Sequence, residues 1–290
     1  MRAAWLFVLP MLLSAADLTI DHVTAAGINL STMRARLAAI GIPSEYGGPH
    51  SNHATEMALT SFPDGSYLEL IAIQSDADAA AVAAHYWSQH MKNDAGPSAW
   101  AVRPKDFDFE ARRLQARNLT VQPARSGRAR PDGVRLEWEA APVGPGPNGV
   151  FFPFLIRDFT PREQRADPSG KPTTDDFSGV SRVVILVRNL KAAISRYRQV
   201  YDLPAPSRQT DQGWGAALAG FPGTPVVLAA PLNDRSWLAA RLKQIGEGPA
   251  AFVLKAANAR PHDSTATAAW FGSTISWLDT QKLGWWLGFE

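Results

Sequence analysis

The stretch LTIDHVTAAGIN (18–29) is followed by LSTMRARLAAIGI (30–42), HATEMALTSF (53–62), PDG (63–65) and SYLELIAIQ (66–74). With the Gly/His-rich turn that lies before residue 53, this order predicts a strand-helix-three-strand unit, in which two of the strands flank the turn at 63–65. The first strand carries His22 at its middle and the last carries Glu69. Pairing of these two strands would therefore bring two side chains that can bind a metal close together.

The helix of this stretch is indicated by its spacing. Apolar residues recur at intervals of three and four, at Leu30, Met33, Leu37 and Ile40. Such intervals make one apolar face. Gly41 follows directly and is a typical residue just past the end of a helix.

The same order of elements returns later in the chain. Residues 19–30 overlay residues 179–190 without a gap, and the pairs Asn29-Leu30 and Asn189-Leu190 coincide. Weaker copies lie between and after these two, at 98–156 and 237–290, which makes four strand-helix-three-strand units with the last one abbreviated. The polar run 161–177 lacks apolar periodicity and is predicted to link a first domain (17–160) to a second (178–290).

Composition excludes several classes of protein. The 290 residues are 46% hydrophobic and 19% charged, which is typical of a globular chain. The net charge of +2 is too balanced for a nucleic-acid-binding protein. The sequence contains no cysteine, so disulfides, thiolate metal sites and thiol catalysis are excluded. No phosphate loop or dinucleotide fingerprint is present, so no nucleotide cofactor is expected.

Residues 1–16 have the pattern of a signal peptide. Arg2 precedes the mainly apolar run 3–13, and Ser14-Ala15-Ala16 supplies small residues before Asp17. We therefore expect export, to the periplasm or out of the cell. The run is about half the ~20 residues that cross a bilayer, which argues against a stable membrane anchor. The alternative is a buried strand of the fold.

Several motifs resemble those of a known family. They are an Asp-His-Val opening (21–23), GGPH (47–50), ATEMAL (54–59) and DGSYLELIA (64–72). Together they resemble the vicinal oxygen chelate superfamily and, more narrowly, its glyoxalase-like domain. The resemblance implies an α+β fold in which βαβββ units pair into two curved sheets, each around a cleft, with the helices outside.

The resemblance also implies a metal site. Members commonly hold a divalent metal with a histidine on the first strand and a glutamate on the last strand of each unit, and His22 and Glu69 match these positions. The corresponding residues elsewhere are Ala99 or Trp100, Arg182 and Val227, so a complete four-ligand site is absent.

A third ligand could come from the first unit itself. His50 or His53 would complete a set of two histidines and one carboxylate, which is typical of zinc and iron centres. The metal expected is zinc, manganese, nickel or iron, and whichever of the two histidines is not a ligand could act as a catalytic base. Tyr67, Thr55 and Trp100 are predicted to line the substrate pocket.

Two functions remain open from the sequence. One is a metal-assisted lyase or isomerase that acts on a small oxygenated metabolite. The other is a metal-free protein that binds a small molecule for sequestration or resistance, in which case His22 could simply be a buried histidine bonded to a carbonyl and Glu69 a solvated edge residue. A monomer and a homodimer are both open.

Overall fold

The structure is a computed structural model that describes residues 16–257 and 262–290. It contains two eight-stranded mixed sheets, and the predicted α+β class with paired curved sheets is confirmed. The predicted signal peptide lies outside the described residues except for Ala16. Among the described residues, no helix is long and apolar enough to cross a bilayer.

The first sheet has the order β2-β3-β4-β1-β5-β8-β7-β6. Its strands are β1 (Ile20–Gly27), β2 (Glu45–Pro49), β3 (Thr55–Ser61), β4 (Tyr67–Ile73), β5 (Gly96–Val102), β6 (Ala124–Ala129), β7 (Arg135–Ala141) and β8 (Phe154–Asp158).

The second sheet has the equivalent order β10-β11-β12-β9-β13-β16-β15-β14. Its strands are β9 (Phe177–Leu186), β10 (Ser207–Asp211), β11 (Ala216–Gly220), β12 (Val226–Pro231), β13 (Gly248–Ala256), β14 (Ser264–Trp270), β15 (Ser273–Leu278) and β16 (Trp286–Phe289).

Eight helices connect these strands in the described residues. They are α1 (Leu30–Ala38), α2 (Ala79–Ala84), α3 (Ser88–Lys92), α4 (Phe107–Gln115), α5 (Arg162–Ala166), α6 (Leu190–Tyr201), α7 (Trp237–Gln244) and α8 (Thr280–Leu283).

Equivalent helices begin at equivalent residues. The Asn29 side chain accepts a hydrogen bond from the Thr32 amide at 2.9 Å, and the Asn189 side chain accepts one from the Ala192 amide at 3.0 Å. Each asparagine satisfies an amide that the first turn leaves without a partner. The Asn-Leu pairs that coincide in the sequence are therefore the starts of α1 and α6.

The central strands of the first sheet separate a core from a cleft. Val23 of β1 and Leu68 of β4 are fully buried in a core that includes residues of α1 and α4. Side chains alternate along a strand, so His22 and Thr24 project from the other face of β1. The functional candidates therefore lie on the face opposite to these helices.

The two sheets share one core and are joined by polar contacts. The hydrophobic cluster around Val23 continues into Ile185 of β9 and Phe252 of β13. The Arg241 guanidinium of α7 donates to the Ala95 carbonyl at 2.7 Å and to the Pro249 carbonyl at 2.9 Å. Arg241 is thus one of several arginines that join the two halves.

Tryptophans fill the inner face of the second sheet. Trp214 stacks on one of them at a ring-centroid distance of 5.7 Å and meets another edge-on at 5.1 Å. At the position that overlays His22, Arg182 forms an ion pair with Glu290 at 2.6 Å. Packed tryptophans and this ion pair therefore occupy the face that corresponds to the cleft of the first sheet. The tryptophans are Trp214, Trp237, Trp270, Trp277 and Trp286.

The predicted linker 161–177 runs between the sheets and packs on the first of them. Its helix α5 carries Arg165, which is 4% exposed, and Ala166, which is buried. The Arg165 guanidinium pairs with the carboxylates of Asp21 and Asp158, which belong to the candidate site.

Candidate functional site

A cavity of about 650 Å³ opens on the face of the first sheet that is opposite to α1 and α4. We call it the first-sheet cleft. Strands β1, β3, β4, β6, β7 and β8 form it, and the segment around α2 and α3 covers one side. Its lining includes His22, His50, Tyr67, Glu69, His85, Arg128, Trp138, Phe154 and Arg165.

Glu69 lies between two histidines in this cleft. The Nε2 atom of His22 is 4.0 Å from Oε2 of Glu69, and the Nε2 atom of His50 is 3.9 Å from Oε1. Parallel pairing of β1 with β4 places Thr24 opposite Glu69, and the Thr24 hydroxyl donates to Oε2 at 2.9 Å. The strand order thus brings together the two residues predicted from the sequence, together with one of the two further histidines.

Asp21 holds the ring of His22. Oδ1 of Asp21 is 2.6 Å from Nδ1 of His22, although neighbouring residues of a regular strand project to opposite faces. An irregularity in the pairing of β1 with β5 between Ile20 and His22 accounts for this contact. Because an ionised carboxylate only accepts hydrogen bonds, Nδ1 of His22 is the donor of this contact, and Nε2 is the ring nitrogen that faces Glu69.

The Asp21 carboxylate is ionised. Its side chain is fully buried, which by itself would raise its pKa. Arg165, the hydrogen bond from His22, and Arg162 outweigh that effect and hold the pKa of Asp21 well below its usual value. Both arginines also contact Asp158, so the two guanidinium groups share two carboxylates.

Aromatic rings hold His22 from the sides. Its ring stacks on Tyr67 with a centroid distance of 4.7 Å and an interplanar angle of 6°, and it meets Phe154 edge-on at 5.3 Å. Tyr67 accepts a hydrogen bond from Arg165 at its hydroxyl, and burial raises its pKa. Tyr67 lines the cleft as a rigid, protonated phenol.

His50 is fixed through Thr55. The Nδ1 atom of His50 is 2.8 Å from the Thr55 hydroxyl, which also accepts a hydrogen bond from the side-chain Nδ2 of Asn52 at 3.1 Å. Burial lowers the pKa of His50, so its ring is neutral at pH 7. Thr55 was expected in the substrate pocket; the structure places it behind His50 instead.

Two other sequence candidates lie away from the cleft. His53 is exposed on the turn before β3, with a φ of 53°, and is not part of the cleft lining. Trp100 is fully buried opposite Val23, in the core on the helix-covered face. The register explains this correction, since Trp100 shares the orientation of Val23 rather than that of His22.

The structure adds cleft residues that the sequence did not reveal. His85 lies on the turn between α2 and α3, where burial lowers its pKa to about 4, and its Nδ1 accepts a hydrogen bond from the Trp87 amide at 3.2 Å. Arg128 comes from β6 and Arg165 from α5. No local sequence pattern distinguishes these three residues, because His85 follows an Ala-rich helix and both arginines lie in arginine-rich stretches, and such stretches are usually exposed to solvent.

The donor types fit a divalent metal. Two imidazole nitrogens and a carboxylate are ligands that zinc and iron accept. Within residues 16–257 and 262–290, however, no group of three or more His, Asp or Glu side chains is close enough to hold an ion. The side chains of His22, His50 and Glu69 are therefore chemically suitable ligands, but their donor atoms are farther apart than those of a closed coordination shell.

Comparisons with known proteins agree with this architecture. The sequence profile described as "Glyoxalase-like domain" matches residues 20–201. No curated protein matches the sequence significantly. A hypothetical protein from Staphylococcus aureus has a similar structure, with a TM-score of 0.63, 15% identity, and coverage of 94% of this chain and 98% of its own.

Two enzyme structures are also similar. A mutant of 4-hydroxymandelate synthase from Streptomyces coelicolor gives a TM-score of 0.55 at 12% identity, covering 83% of this chain and 71% of its own. Methylmalonyl-CoA epimerase from Mycobacterium tuberculosis gives 0.35 at 20% identity, covering 40% and 89%. At these identities the first similarity establishes the fold alone, and the second carries no argument.

Proposed function

We propose that this chain, which belongs to the glyoxalase-like domain family, converts a small oxygenated metabolite in its first-sheet cleft by metal-assisted lyase or isomerase chemistry. One observation carries the proposal: the Nε2 atoms of His22 and His50 face the two carboxylate oxygens of Glu69 at 4.0 and 3.9 Å. In a partly buried cleft, such a convergence of donors around one carboxylate favours a cation.

His22, His50 and Glu69 would hold the ion, which is zinc, manganese, nickel or iron. When bound, a divalent ion polarises substrate oxygens and stabilises negative charge that develops on them. Asp21 and Thr55 orient the two imidazole rings, as partners of ligating histidines commonly do. Thr24 orients the carboxylate through its 2.9 Å hydrogen bond.

The remaining cleft residues bind and shield the substrate. Trp138, Phe154 and Ile156 form apolar walls that exclude water. His85 is neutral at pH 7, and because its Nδ1 accepts a hydrogen bond from a backbone amide, its proton is on Nε2. We assign Nε2–H of His85 as a hydrogen-bond donor to a substrate oxygen.

Metal titration tests the proposal. Calorimetry of the purified chain with zinc, manganese, nickel and iron(II) should show about one ion bound per chain, and Glu69→Gln and His50→Asn should each weaken binding at least about tenfold. Glu56→Gln is the matched control for the carboxylate, since Glu56 accepts a hydrogen bond from Tyr46. His53→Asn is the control for the histidine. The absence of divalent-ion binding at neutral pH would refute the proposal.

A metal-free binding protein is the second candidate. It is favoured by the wide spacing of the donors and by the lack of a closed three-ligand group among the described residues. A ligand would then raise the melting temperature equally with and without chelator. Loss of that stabilisation in chelator excludes this candidate.

We also propose that residues 1–16 direct export to the periplasm or out of the cell. Fractionation of expressing cells should find chain that begins at Asp17 outside the cytoplasm, and cytoplasmic protein with an intact N-terminus would contradict this. Light scattering of the same sample distinguishes a monomer from the homodimer that the sequence left open.

A further inference from the structure

The first-sheet cleft contains a buried arginine without an acidic partner. Arg128 is 7% exposed and lines the cleft. Its Nη1 donates to the Gly47 carbonyl at 2.6 Å. Among the described residues its guanidinium has no other hydrogen bond and no carboxylate at ion-pair distance. Burial lowers the pKa of Arg128, which means that its charge is poorly solvated, but the guanidinium still remains protonated at pH 7.

Position in the sheet makes Arg128 part of the cleft. Ser126 and Arg128 share one face of β6, both line the cleft, and Ser126 pairs with Trp138 of β7, which is also in the lining. Glu69 and Tyr67 act electrostatically on Arg128. The guanidinium therefore faces the same space as the three proposed metal ligands.

The other arginines of the cleft are already neutralised or solvated. Arg165 is fully occupied, since it contacts the Tyr67 hydroxyl and the carboxylates of Asp21 and Asp158. Arg125 is exposed and lies over the ring of Phe159 at 4.1 Å. Among the described arginines of the cleft, Arg128 is thus the one that is buried without a carboxylate to balance its charge. Its burial therefore costs the most electrostatic free energy.

We infer that Arg128 is an anion-binding subsite and that the ligand of the first-sheet cleft is a small carboxylic acid with an oxo or hydroxyl oxygen beside the carboxylate. One guanidinium matches one carboxylate in charge and in planar hydrogen-bond geometry. The neighbouring oxygens would then lie toward His22, His50 and Glu69. This inference names the substrate class of the proposed function and rests on it in placing the reaction in this cleft.

A panel of matched ligands tests the inference. Lactate, pyruvate and larger 2-hydroxy and 2-oxo acids with up to six carbons are compared with the corresponding amides by thermal shift and calorimetry. At least one acid should bind, and should do so at least about tenfold more tightly than its amide. Arg128→Gln should remove this preference, while Arg135→Gln, an exposed arginine of β7, should retain it.

Arg128 also bridges the edge strands β2 and β6 through Gly47, so Arg128→Gln could act by loosening the sheet. Arg128→Lys separates the two effects, because it keeps the charge but alters that bridge. Retention of acid preference in Arg128→Lys supports the subsite. Equal weakening of acid and amide in both variants overturns it, as does a panel in which no acid binds.

Acid binding measured with chelator and with zinc distinguishes failure of the Arg128 subsite from failure of the metal-assisted function. If zinc binds but no acid shows a preference dependent on Arg128, this inference fails and the proposed metal site stands. If acids bind through Arg128 to protein that takes up no metal, the metal-assisted function fails and the subsite stands.

Discussion

Replacement of Asp21 by asparagine tests the polar network beneath the cleft. The Asp21 side chain is fully buried, and its carboxylate contacts Arg165 at 3.0 Å, His22 at 2.6 Å and Arg162. Asp21→Asn preserves size but leaves two guanidinium groups to share Asp158. Removing one partner from a buried ion-pair network costs about 3–5 kcal/mol. That is a large part of the total stability of an ordinary domain, about 5–15 kcal/mol.

Urea unfolding at pH 7, followed by tryptophan fluorescence, measures this loss. Asp108→Asn is the matched control, because Asp108 pairs with Arg157 at 2.8 Å and its side chain is 56% exposed. Exposed pairs contribute at most about 1 kcal/mol, so the control should unfold near the wild-type midpoint. If Asp21→Asn costs no more than the control, the buried network does not stabilise the fold as argued.

The same variant reports on the cleft. Without a carboxylate at Nδ1, His22 loses the partner that selects its tautomer, and affinity for zinc should fall about 10–100-fold in folded protein. Calorimetry below the unfolding transition measures this. Unchanged zinc affinity in a destabilised Asp21→Asn variant would show that Asp21 supports the fold without orienting His22.

Three further predictions concern the rest of the molecule. Trp214→Ala should lower the free energy of unfolding by about 3–5 kcal/mol, since it empties the centre of the tryptophan cluster of the second sheet. Zinc affinity should be unchanged, because the first-sheet cleft belongs to the other sheet. A lowered zinc affinity would contradict this separation of the cluster from the cleft. Burial, with Arg241 nearby, lowers the pKa of His90 to about 4, so the native state binds fewer protons than the unfolded state below pH 6.5. This residue should therefore lower the free energy of unfolding by about 3 kcal/mol as the pH drops from 7 to 4. In urea titrations, His90→Gln should lose less stability than the wild type over this range, by about the same 3 kcal/mol. Equal losses in the two proteins would refute the lowered pKa of His90. Asn189→Ala should cost about 1 kcal/mol in urea titrations through loss of the α6 cap, and an effect below about 0.3 kcal/mol would contradict it.

Local pattern was sufficient for most elements of the first unit, but not for β2 (Glu45–Pro49), whose Gly47-Gly48-Pro49 indicates a turn in sequence. The alternation around His22 and Glu69, the spacing of Leu30, Met33 and Leu37, and the glycine at Gly41 each depend on neighbours within a few residues. The structure then pairs β1 with β4 in parallel. This explains why both predicted ligands face one cleft in the structure.

Local sequence pattern could not predict which histidine of the turn faces Glu69. His50 and His53 are separated by three residues, and both are compatible with a ligand in sequence. Hydrogen bonding to Thr55 turns His50 toward Glu69, while His53 points to solvent from a left-handed turn conformation. Trp100 was misplaced for a related reason, since a shift of one residue moves a side chain to the other face of a sheet.

The sequence by itself determined the fold class, most elements of the first unit and the place of His22 and Glu69 on its first and last strands, because periodicity acts over a few residues. Tertiary structure alone decided what surrounds that pair. Asp21 reaches His22 through an irregularity in strand pairing, and Arg165 and Arg128 arrive from segments that are 59 or more positions away from Glu69 in the numbering. Such contacts depend on sheet curvature and on register across the whole domain, which no short stretch of sequence encodes.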